Sequence, residues 1–303
     1  MSQNPGAAAD GGTVLVTGAA GGIGRTTVAV LAAAGLTVVG ADRRRGPGDD
    51  GCADFVVGDL TDPAVVAAAF DRAAAAGPGG PRGVVHLAAV PAPGIVSDQE
   101  TVRTNVTSTY AVFHEAGARG VPRVVAASSA AAVGIAWAGR DLSPRYVPVD
   151  EEHPDLTVDA YGLTKVAAEG VAAYATRRWG TVTVLLRFPF VGAGERLRKR
   201  LADVCADPAA NRRELWGWLH TEDAAGSVLA ALTADVEGHH VVNVAAPDSA
   251  TTVPTRDLLA AHHPTAELRA PLDGHASLFD TTRCRELLGF TPRRGWRGEA
   301  EPL

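Results

Sequence analysis

The hydrophobic pattern of this chain alternates between short apolar runs and longer segments with helical character. The short runs are rich in Val, Leu and Ala and are bounded by Gly, Pro or Asp, which is typical of strands buried on both faces of a sheet. We predict strands at 13–16, 36–41, 54–57, 83–87, 123–127 and 181–187, and helices at 25–34, 63–76, 102–117 and 161–178. This alternation predicts an α/β fold with a doubly wound parallel sheet.

Glycines at three-residue spacing follow the first predicted strand. Gly18, Gly21 and Gly24 lie between that strand and the next helix, with Gly22 and Ile23 inside the same turn. Glycines allow a tight turn and a close approach of the backbone to a pyrophosphate, whose charge lies at the helix N-terminus. A tight strand-to-helix turn without a ligand is the alternative. The strand, the helix and a downstream acid together favour a dinucleotide-binding, Rossmann-type unit.

Charged residues after the next two strands bear on the adenosine half of such a cofactor. Asp42 follows the second strand, about 20 residues past the glycine turn, where an acid accepts hydrogen bonds from the ribose. Its carboxylate would repel a 2′-phosphate, which favours NAD over NADP. Arg43, Arg44 and Arg45 argue the other way, because arginine attracts that phosphate, although one of them could instead stack on adenine. Asp59 could reach the adenine amino group or only open the next helix.

The rest of the chain sets the domain organisation. Residues 13–187 are predicted to form the NAD-binding domain, and the rhythm of strands and helices changes after residue 187. Residues 188–303 are predicted to form a small substrate-binding lobe that is interleaved with the main domain, and residues 1–12 to form a flexible leader. The elements predicted in the lobe are helices at 195–207, from 221, at 254–261 and at 281–288, and strands at 215–220 and 240–244.

Composition narrows the classes of partner. The formal net charge is −6, which gives no reason to expect a nucleic-acid partner. Cys52, Cys205 and Cys284 lie far apart, so no metal site is predicted and a reducing, cytoplasmic setting is expected. No apolar run approaches the ~20 residues that a membrane helix requires, so no membrane partner is expected.

Three residues are candidates for catalysis. Ser129 ends the fifth strand region, and Tyr161 and Lys165 lie one turn apart on the same face of the fourth helix. Oxidation of a secondary alcohol needs a base beside the carbon that gives up its hydride. A nearby ammonium lowers the pKa of a phenol, which suits Tyr161 as that base, while the serine hydroxyl can hold the substrate oxygen. The Tyr-x-x-x-Lys spacing alone also fits an ordinary helix surface.

The sequence resembles the extended short-chain dehydrogenase/reductase family, in its NAD-dependent epimerase/dehydratase group. The similar stretches run in the family's order along nearly the whole chain: 17–24, 58–60, 86–89, 127–129, 161–165, 186–188, 218–223 and 279–289. The resemblance implies a homodimer through a four-helix bundle. It also implies NAD contacts at Gly18, Gly21, Ile23, Gly24, Asp42, Asp59, Leu60, Leu87, Ala88, Asn105, Tyr161, Lys165 and Pro189, to which Gly22, Arg43 and Ala89 are added as neighbours in the same turns.

Departures from the family pattern limit the reactions that we expect this chain to catalyse. Sugar-nucleotide dehydratases carry an Asp-Glu pair just after the catalytic hydroxyl, where this chain has Ala130 and Ala131, so dehydration is not expected. An NAD-dependent dehydrogenase or reductase is the first hypothesis. An epimerase that uses the same three residues and retains its cofactor is the alternative, and a non-catalytic NAD sensor is a third.

The substrate hypothesis rests on a short segment. Only residues 191–214 separate the sixth strand region from the aromatic stretch at 215–220, which leaves little chain for a nucleotide pocket and is similar to hexuronate dehydrogenases. We therefore expect a small, non-nucleotide polyol, sugar or sugar derivative, held partly by the loop 134–160. Predicted substrate contacts are Pro91, Ala130, Trp137 and Arg198, with Arg140, Arg145, Arg196 and Lys199 as further possibilities.

Overall fold

The computed structural model describes residues 11–46 and 51–297, so the predicted leader lies almost wholly outside the described residues. The strands are β1 (Thr13–Thr17), β2 (Thr37–Asp42), β3 (Asp54–Val57), β4 (Pro81–His86), β5 (Arg123–Ser129), β6 (Tyr146–Val147), β7 (Val182–Phe188), β8 (Phe190–Gly192), β9 (Trp218–His220), β10 (His239–Asn243) and β11 (Glu267–Leu268). The helices are α1 (Gly22–Ala33), α2 (Pro63–Ala75), α3 (Asp98–Ala118), α4 (Ala160–Trp179), α5 (Gly194–Ala206), α6 (Thr221–Thr233), α7 (Thr255–His262) and α8 (Thr282–Leu288).

Seven parallel strands form the central sheet, in the order β10-β7-β5-β4-β1-β2-β3. Strand β1 pairs with β2 on one side and with β4 on the other, so the direction of winding reverses at β1. This is the order of a doubly wound, Rossmann-type sheet, and it confirms the predicted fold class. Within the described residues, no helix is both long and apolar enough to cross a membrane.

Both faces of the sheet are covered, as near-continuous apolar strands require. Val14 and Val16 of β1 point to a core shared with α1 and α6, where Leu31 and Val228 are fully buried. Leu15, between them, points to the opposite core, which α2, α3 and α4 cover. Successive side chains of a strand alternate between faces, so each strand contributes to two cores at once.

A third apolar core lies beyond the sheet and brings together two distant parts of the chain. Ile135 and Val149 come from the segment after β5, whereas Trp216, Trp218 and Leu278 come from the C-terminal half. The C-terminal half also supplies β10 to the main sheet and packs α6 against α1. The region after residue 188 is therefore interleaved with the sheet and does not fold over it as a detached lobe.

Several element boundaries differ from those the sequence predicts. Helix α3 begins at Asp98, four residues before the predicted start, because the Ser97 hydroxyl caps it by accepting from the Glu100 N–H at 3.2 Å. The predicted strand 215–220 is reduced to β9, because Leu215 and Trp216 have positive φ angles of 51° and 52°. The short strands β6, β8 and β11 were not predicted.

Gly134 ties the segment after β5 to the start of α4. It ends a single 3₁₀ turn over 130–133 with φ +90°, a left-handed conformation that favours glycine. A Cβ at this position would lie 2.1 Å from the backbone nitrogen of Thr157. The backbone of Leu156 also donates to the Val133 carbonyl at 3.0 Å. The two segments are therefore in contact through their backbones, just ahead of Tyr161.

We predict that Gly134→Ala lowers the free energy of unfolding by about 2–4 kcal/mol, because the variant combines left-handed strain with a backbone clash. Urea denaturation at neutral pH measures it. Gly139→Ala is the matched control in the same segment, since a Cβ there meets nothing within 4 Å, and its effect should stay within about 0.5 kcal/mol. Equal stabilities for both variants would contradict this packing.

Candidate active site

A cavity of about 750 Å³ opens at the carboxyl edge of the sheet. Parallel α/β sheets bind ligands at this edge, in the crevice where the direction of winding reverses. The volume lies in the range of small-molecule sites, about 300–1,000 Å³. The predicted site residues that line it are Gly18, Gly21, Gly22, Ile23, Gly24, Asp42, Arg43, Asp59, Leu60, Leu87, Ala88, Ala89, Pro91, Ser129, Ala130, Trp137, Tyr161, Lys165 and Pro189.

The glycine turn forms one end of the cavity and fits a pyrophosphate. Helix α1 begins there with no side-chain cap and no acidic residue in its first turn, so its first N–H groups are left for a ligand. A Cβ at Gly18 would lie 2.6 Å from the Ala88 nitrogen, and one at Gly24 would lie 2.0 Å from the Gly18 oxygen. The close approach of backbones requires glycine at both positions. The residues present therefore fit a dinucleotide such as NAD.

Two carboxylates lie at the adenosine end of the same cavity. Asp42 Oδ2 accepts from the Ala20 N–H at 3.0 Å, which fixes this carboxylate beside the glycine turn. Asp59 Oδ1 accepts from the Thr61 N–H at 2.9 Å, and Asp59 Oδ2 lies 3.6 Å from Arg43 Nε. The hydrogen bond from Thr61, and then the charge of Arg43, lower the pKa of Asp59. Arg43 is therefore partly neutralised by an acid of the chain itself.

Asn105, one of the predicted cofactor contacts, does not line the cavity. It is buried in α3, where its Oδ1 accepts from the Val90 N–H at 2.7 Å. Its Nδ2 lies 3.1 Å from the Val90 oxygen and 3.2 Å from Thr164 Oγ1. Asn105 thus fixes the segment after β4, which lines the cavity, against α4.

The structure brings Ser129, Tyr161 and Lys165 together where β5 and β7 end. Ser129 Oγ accepts from the Ala131 N–H at 3.1 Å and donates to the Phe188 oxygen at 3.4 Å. Lys165 Nζ donates to the Ala127 oxygen at 2.9 Å and lies 5.6 Å from the centre of the Tyr161 ring. These side chains are therefore aimed into one part of the cavity.

Burial acts on the pKa values of the two ionisable groups in opposite directions. It raises the pKa of the Tyr161 phenol to about 12, although a hydrogen bond from Ser129 opposes the shift. It lowers the pKa of the Lys165 ammonium to about 8, which the negative charge of Glu169 opposes. Near neutral pH the protein alone therefore presents a protonated phenol beside an ammonium that can readily lose its proton.

Glu169 lies one helical turn after Lys165 and joins α4 to the sheet. Its Oε1 accepts from the Ser128 hydroxyl at 2.6 Å. Arg187 of β7 donates to both carboxylate oxygens at 2.8 Å, in a pair that is almost completely buried. Bidentate Arg–carboxylate geometry is directional as well as strong. The pair therefore fixes α4 relative to the ends of β5 and β7, which carry the serine and the backbone oxygen that Lys165 binds.

His86 lies in one of the stretches that resemble the family, but its side chain has a structural role. It is buried at the end of β4, with its ring nitrogens 2.8 Å from Thr17 Oγ1 and 3.2 Å from Thr109 Oγ1. Burial first, and then the charge of Lys165, lower its pKa to about 3. His86 therefore stays neutral near neutral pH, and it does not line the cavity.

Arg198, a predicted substrate contact, is exposed and does not line the cavity. Arg196, which is also exposed, and Arg200 of the same helix do line it. A helix places residues two positions apart on different faces, and four basic residues within the five positions 196–200 did not show which face lines the cavity. In the segment 134–160, Trp137 lines the cavity, but Arg140 and Arg145 lie in a separate surface pocket.

Comparison with known proteins identifies the family to which the chain belongs. The family model for the NAD dependent epimerase/dehydratase family matches residues 14–245. The chain belongs to this family. It is therefore an NAD-dependent enzyme of the extended short-chain dehydrogenase/reductase type, as the resemblance of its motifs implied. The match extends from β1 to the segment after β10, so it includes the glycine turn, the three candidate catalytic residues and the Arg187–Glu169 pair.

Relatives of the chain include both sugar dehydrogenases and sugar-nucleotide epimerases. An L-arabinose 1-dehydrogenase (NAD(P)(+)) of Haloferax volcanii is 27% identical over 286 residues, covering 92% of this chain and 96% of that protein. A UDP-glucose 4-epimerase of Corynebacterium glutamicum is 31% identical over 189 residues, covering 59% of this chain and 52% of that protein. This chain thus aligns with nearly all of the first relative and with about half of the second.

Solved structures of family members share the fold. A short-chain dehydrogenase/reductase superfamily protein from Agrobacterium tumefaciens with bound NAD has a TM-score of 0.68 at 26% identity, covering 94% of this chain and 93% of that one. MoeE5 in complex with UDP-glucuronic acid and NAD has a TM-score of 0.66 at 25% identity, covering 94% of this chain and 95% of that one.

Some site residues were not predicted from the sequence. Glu169 is the clearest, and its signal was available, because it continues the spacing of Tyr161 and Lys165 by one more turn of the same helix face. The lining residues Phe190, Arg213 and Phe279 have no such local signal. They come from separate elements after β7, and only the tertiary fold brings them to the cavity.

Proposed function

We propose that this family member is an NAD-dependent dehydrogenase that oxidises a secondary alcohol of a small, non-nucleotide, sugar-sized substrate to a ketone, with Tyr161 as the acid/base. The convergence of Ser129, Tyr161 and Lys165 in one part of the cavity carries the proposal. Among the described residues, the carboxylates that line the cavity are those of Asp42, Asp59 and Glu214. None of these belongs to β5 or to the turn after it, where a dehydratase would carry its acid pair. This supports hydride transfer without dehydration.

Each of the three residues has a distinct task. Tyr161 removes the hydroxyl proton of the substrate, while Ser129 donates to the same oxygen and holds it in place. Lys165, whose own hydrogen bond to the Ala127 oxygen fixes its position, stabilises the phenolate by its charge. NAD⁺, when bound, supplies the hydride acceptor and a positive ring near the phenol. A phenol with a pKa raised to about 12 by burial depends on such positive charge for its reactivity.

The length of the segment that follows β8 supports a substrate without a nucleotide. Between β8 and β9 the chain builds only α5 and a short 3₁₀ segment over 208–214. The end-to-end alignment with an L-arabinose 1-dehydrogenase agrees with a small sugar-like substrate. An epimerase is the second candidate, because UDP-glucose 4-epimerases are also relatives and the same three residues can return the hydride to the other face of a ketone.

A substrate screen followed at the NADH absorbance, with product stereochemistry determined by NMR, separates the two candidates. A dehydrogenase forms one NADH for each product, whereas an epimerase changes the stereochemistry of the substrate without net NADH. Calorimetric titration with UDP addresses the nucleotide separately. Saturable UDP binding at micromolar concentration, displaced by the substrate, would contradict the non-nucleotide proposal.

We also propose that the protein is a homodimer, and the exposed faces of α3 and α4 support this. These two helices pack against each other, and each keeps a large apolar side chain exposed, Tyr110 at 47% and Leu163 at 51%. Large exposed apolar side chains on neighbouring helices favour burial against a second copy of the same helix pair.

We predict that Tyr161→Phe lowers kcat by about 10²–10⁴-fold while the Kd for NAD⁺ changes by less than about threefold, because the variant removes only the proton-transferring oxygen. Steady-state kinetics and calorimetric titration with NAD⁺ measure the two effects. Tyr174→Phe is the matched control, since Tyr174 lies on the same helix outside the cavity. A loss below tenfold in kcat for Tyr161→Phe would exclude it as the acid/base.

We also predict that NAD⁺ binds more tightly than NADP⁺, because Asp42 repels a 2′-phosphate and Asp59 already pairs with Arg43. Calorimetric titration with both cofactors gives the ratio. Asp42→Asn should reduce the ratio of the NADP⁺ Kd to the NAD⁺ Kd by about tenfold, which is the effect of one close charge. Tighter binding of NADP⁺ to the wild-type protein would mean that Arg43 or Arg44 controls this pocket.

A further inference from the structure

We propose that the substrate is a carbon-rich hydroxy acid, with a ring or chain that carries few hydroxyl groups besides the one oxidised and with a carboxylate that binds arginines of α5 and the 3₁₀ segment 208–214. The inference rests on the proposed dehydrogenase function and names the substrate class of the same site. It depends on two features of the cavity wall, an apolar surface next to Ser129 and an excess of arginine on the elements after β8.

The wall that follows Ser129 along the chain is apolar throughout. Each residue of the segment 130–137 that lines the cavity has an aliphatic or aromatic side chain, namely Ala130, Ala131, Val133, Ile135, Ala136 and Trp137. Ile135 and Val133 are fixed in the third core, so this surface is built into the fold. Trp137 is 42% exposed at the cavity wall, where an apolar ligand could cover it.

The end of β7 and the chain after it contribute a second apolar surface to the same cavity. Phe188, Phe190, Leu215 and Phe279 line it. Phe279 is held in place by close packing, because a Cβ at Gly217 would lie 2.6 Å from its ring. Within the described part of the chain, the lining contains no Asn, Gln or His side chain. These are residue types that commonly pair with several hydroxyl groups at once.

Hydroxyl groups that face the segment 130–137 or the aromatic residues after it would therefore meet apolar side chains, and the polar groups near them are those of Ser129, Tyr161 and the arginines and Glu214 beyond β8. A buried hydroxyl without a hydrogen bond reduces affinity by roughly 5- to 150-fold. Ser129 and Tyr161 serve the one oxygen that reacts. A polyhydroxylated ring would leave further hydroxyls against aliphatic side chains, whereas a ring of methylene groups would bury apolar surface there.

Arginines exceed acids where the cavity is lined by α5 and the segment 208–214. Arg196, Arg200 and Arg213 line it together with one carboxylate, Glu214. Glu214 pairs with Arg200 at 2.6 Å, and Arg213 shares Asp141 with Arg212. Arg200 and Arg213 each lie beside a carboxylate, so Arg196 is the lining arginine of these elements that has no acidic partner among the described residues.

Arg196 is the arginine best placed to receive an anion. Its guanidinium lies 4.6 Å from the centre of the Phe190 ring and donates to the Val191 oxygen, so its orientation is fixed. Within the described residues, no carboxylate pairs with it. A fixed guanidinium with remaining N–H groups is suited to a carboxylate, which it can bind through two parallel hydrogen bonds.

A matched set of four compounds tests the substrate class, with NADH formation as the readout. The set is 4-hydroxycyclohexane-1-carboxylate (cis and trans), its methyl ester, cyclohexanol and glucuronate. We expect kcat/KM for the hydroxy acid to exceed that for the ester and for cyclohexanol by about 10- to 100-fold, the effect of a charged hydrogen bond. We expect it to exceed that for glucuronate by at least about tenfold. A preference for glucuronate would overturn the proposal.

Two variants of α5 test the contact with the anion. Arg196→Gln should raise KM for the hydroxy acid by about tenfold and leave KM for cyclohexanol unchanged. Arg198→Gln is the matched control, since Arg198 belongs to the same helix but is exposed outside the cavity. Equal effects of Arg196→Gln on the acid and on cyclohexanol would overturn the contact.

A binding measurement separates this inference from the proposed function. The Tyr161→Phe protein with NADH is titrated calorimetrically with cyclohexanecarboxylate and with glucuronate. Tighter binding of cyclohexanecarboxylate supports the inference even if no compound yields NADH, a result that would overturn only the dehydrogenase proposal. Tighter binding of glucuronate, together with NADH formation from polyols, would overturn the inference and leave the dehydrogenase proposal standing.

Discussion

The site depends on keeping a lysine charge inside the protein. Lys165 is only 7% exposed, and burial of an ammonium favours its neutral form. Two features oppose this, the hydrogen bond to the Ala127 oxygen and the negative charge of Glu169. The Glu169 side chain is itself only 12% exposed and accepts hydrogen bonds from two nitrogens of the Arg187 guanidinium. Removing one member of such a buried pair typically costs about 3–5 kcal/mol, so the charges must be retained together.

This constraint connects the candidate catalytic residues to the whole fold. Lys165 and Glu169 come from α4, Arg187 from β7, and Ser128 and Ser129 from the end of β5. Because β5 and β7 are neighbours in the sheet, their ends lie side by side under one face of α4. The ion pair and the two serines therefore set the position of Tyr161 relative to the cavity. The order of the strands in the sheet therefore also determines where the candidate catalytic side chains lie.

The sequence predicted the features that depend on local spacing. The glycine turn, Asp42 and the Tyr161–Lys165 pair each follow from a few neighbouring residues, and the structure places them all along one cavity. Asn105 and Arg198 do not line this cavity, because the inward face of a helix is decided by packing with distant elements. Leu215 and Trp216 read as a strand from their apolar character, but their left-handed backbone excludes it. Ala130 and Trp137 were predicted, but the cavity wall formed by Phe190, Arg213 and Phe279 was not, since distant segments meet there only in the folded chain.

The buried charge can be observed directly, because Lys165 and Lys199 are the two lysines of the chain. Protein labelled with ¹³C-lysine should give two sets of side-chain resonances, and exposed Lys199 provides the reference. The account predicts that Lys165 titrates with a pKa of about 8. It further predicts that Glu169→Gln shifts this pKa downward, because the variant removes the negative charge that stabilises the ammonium. A Lys165 resonance that titrates together with Lys199, or one unaffected by Glu169→Gln, would contradict the account.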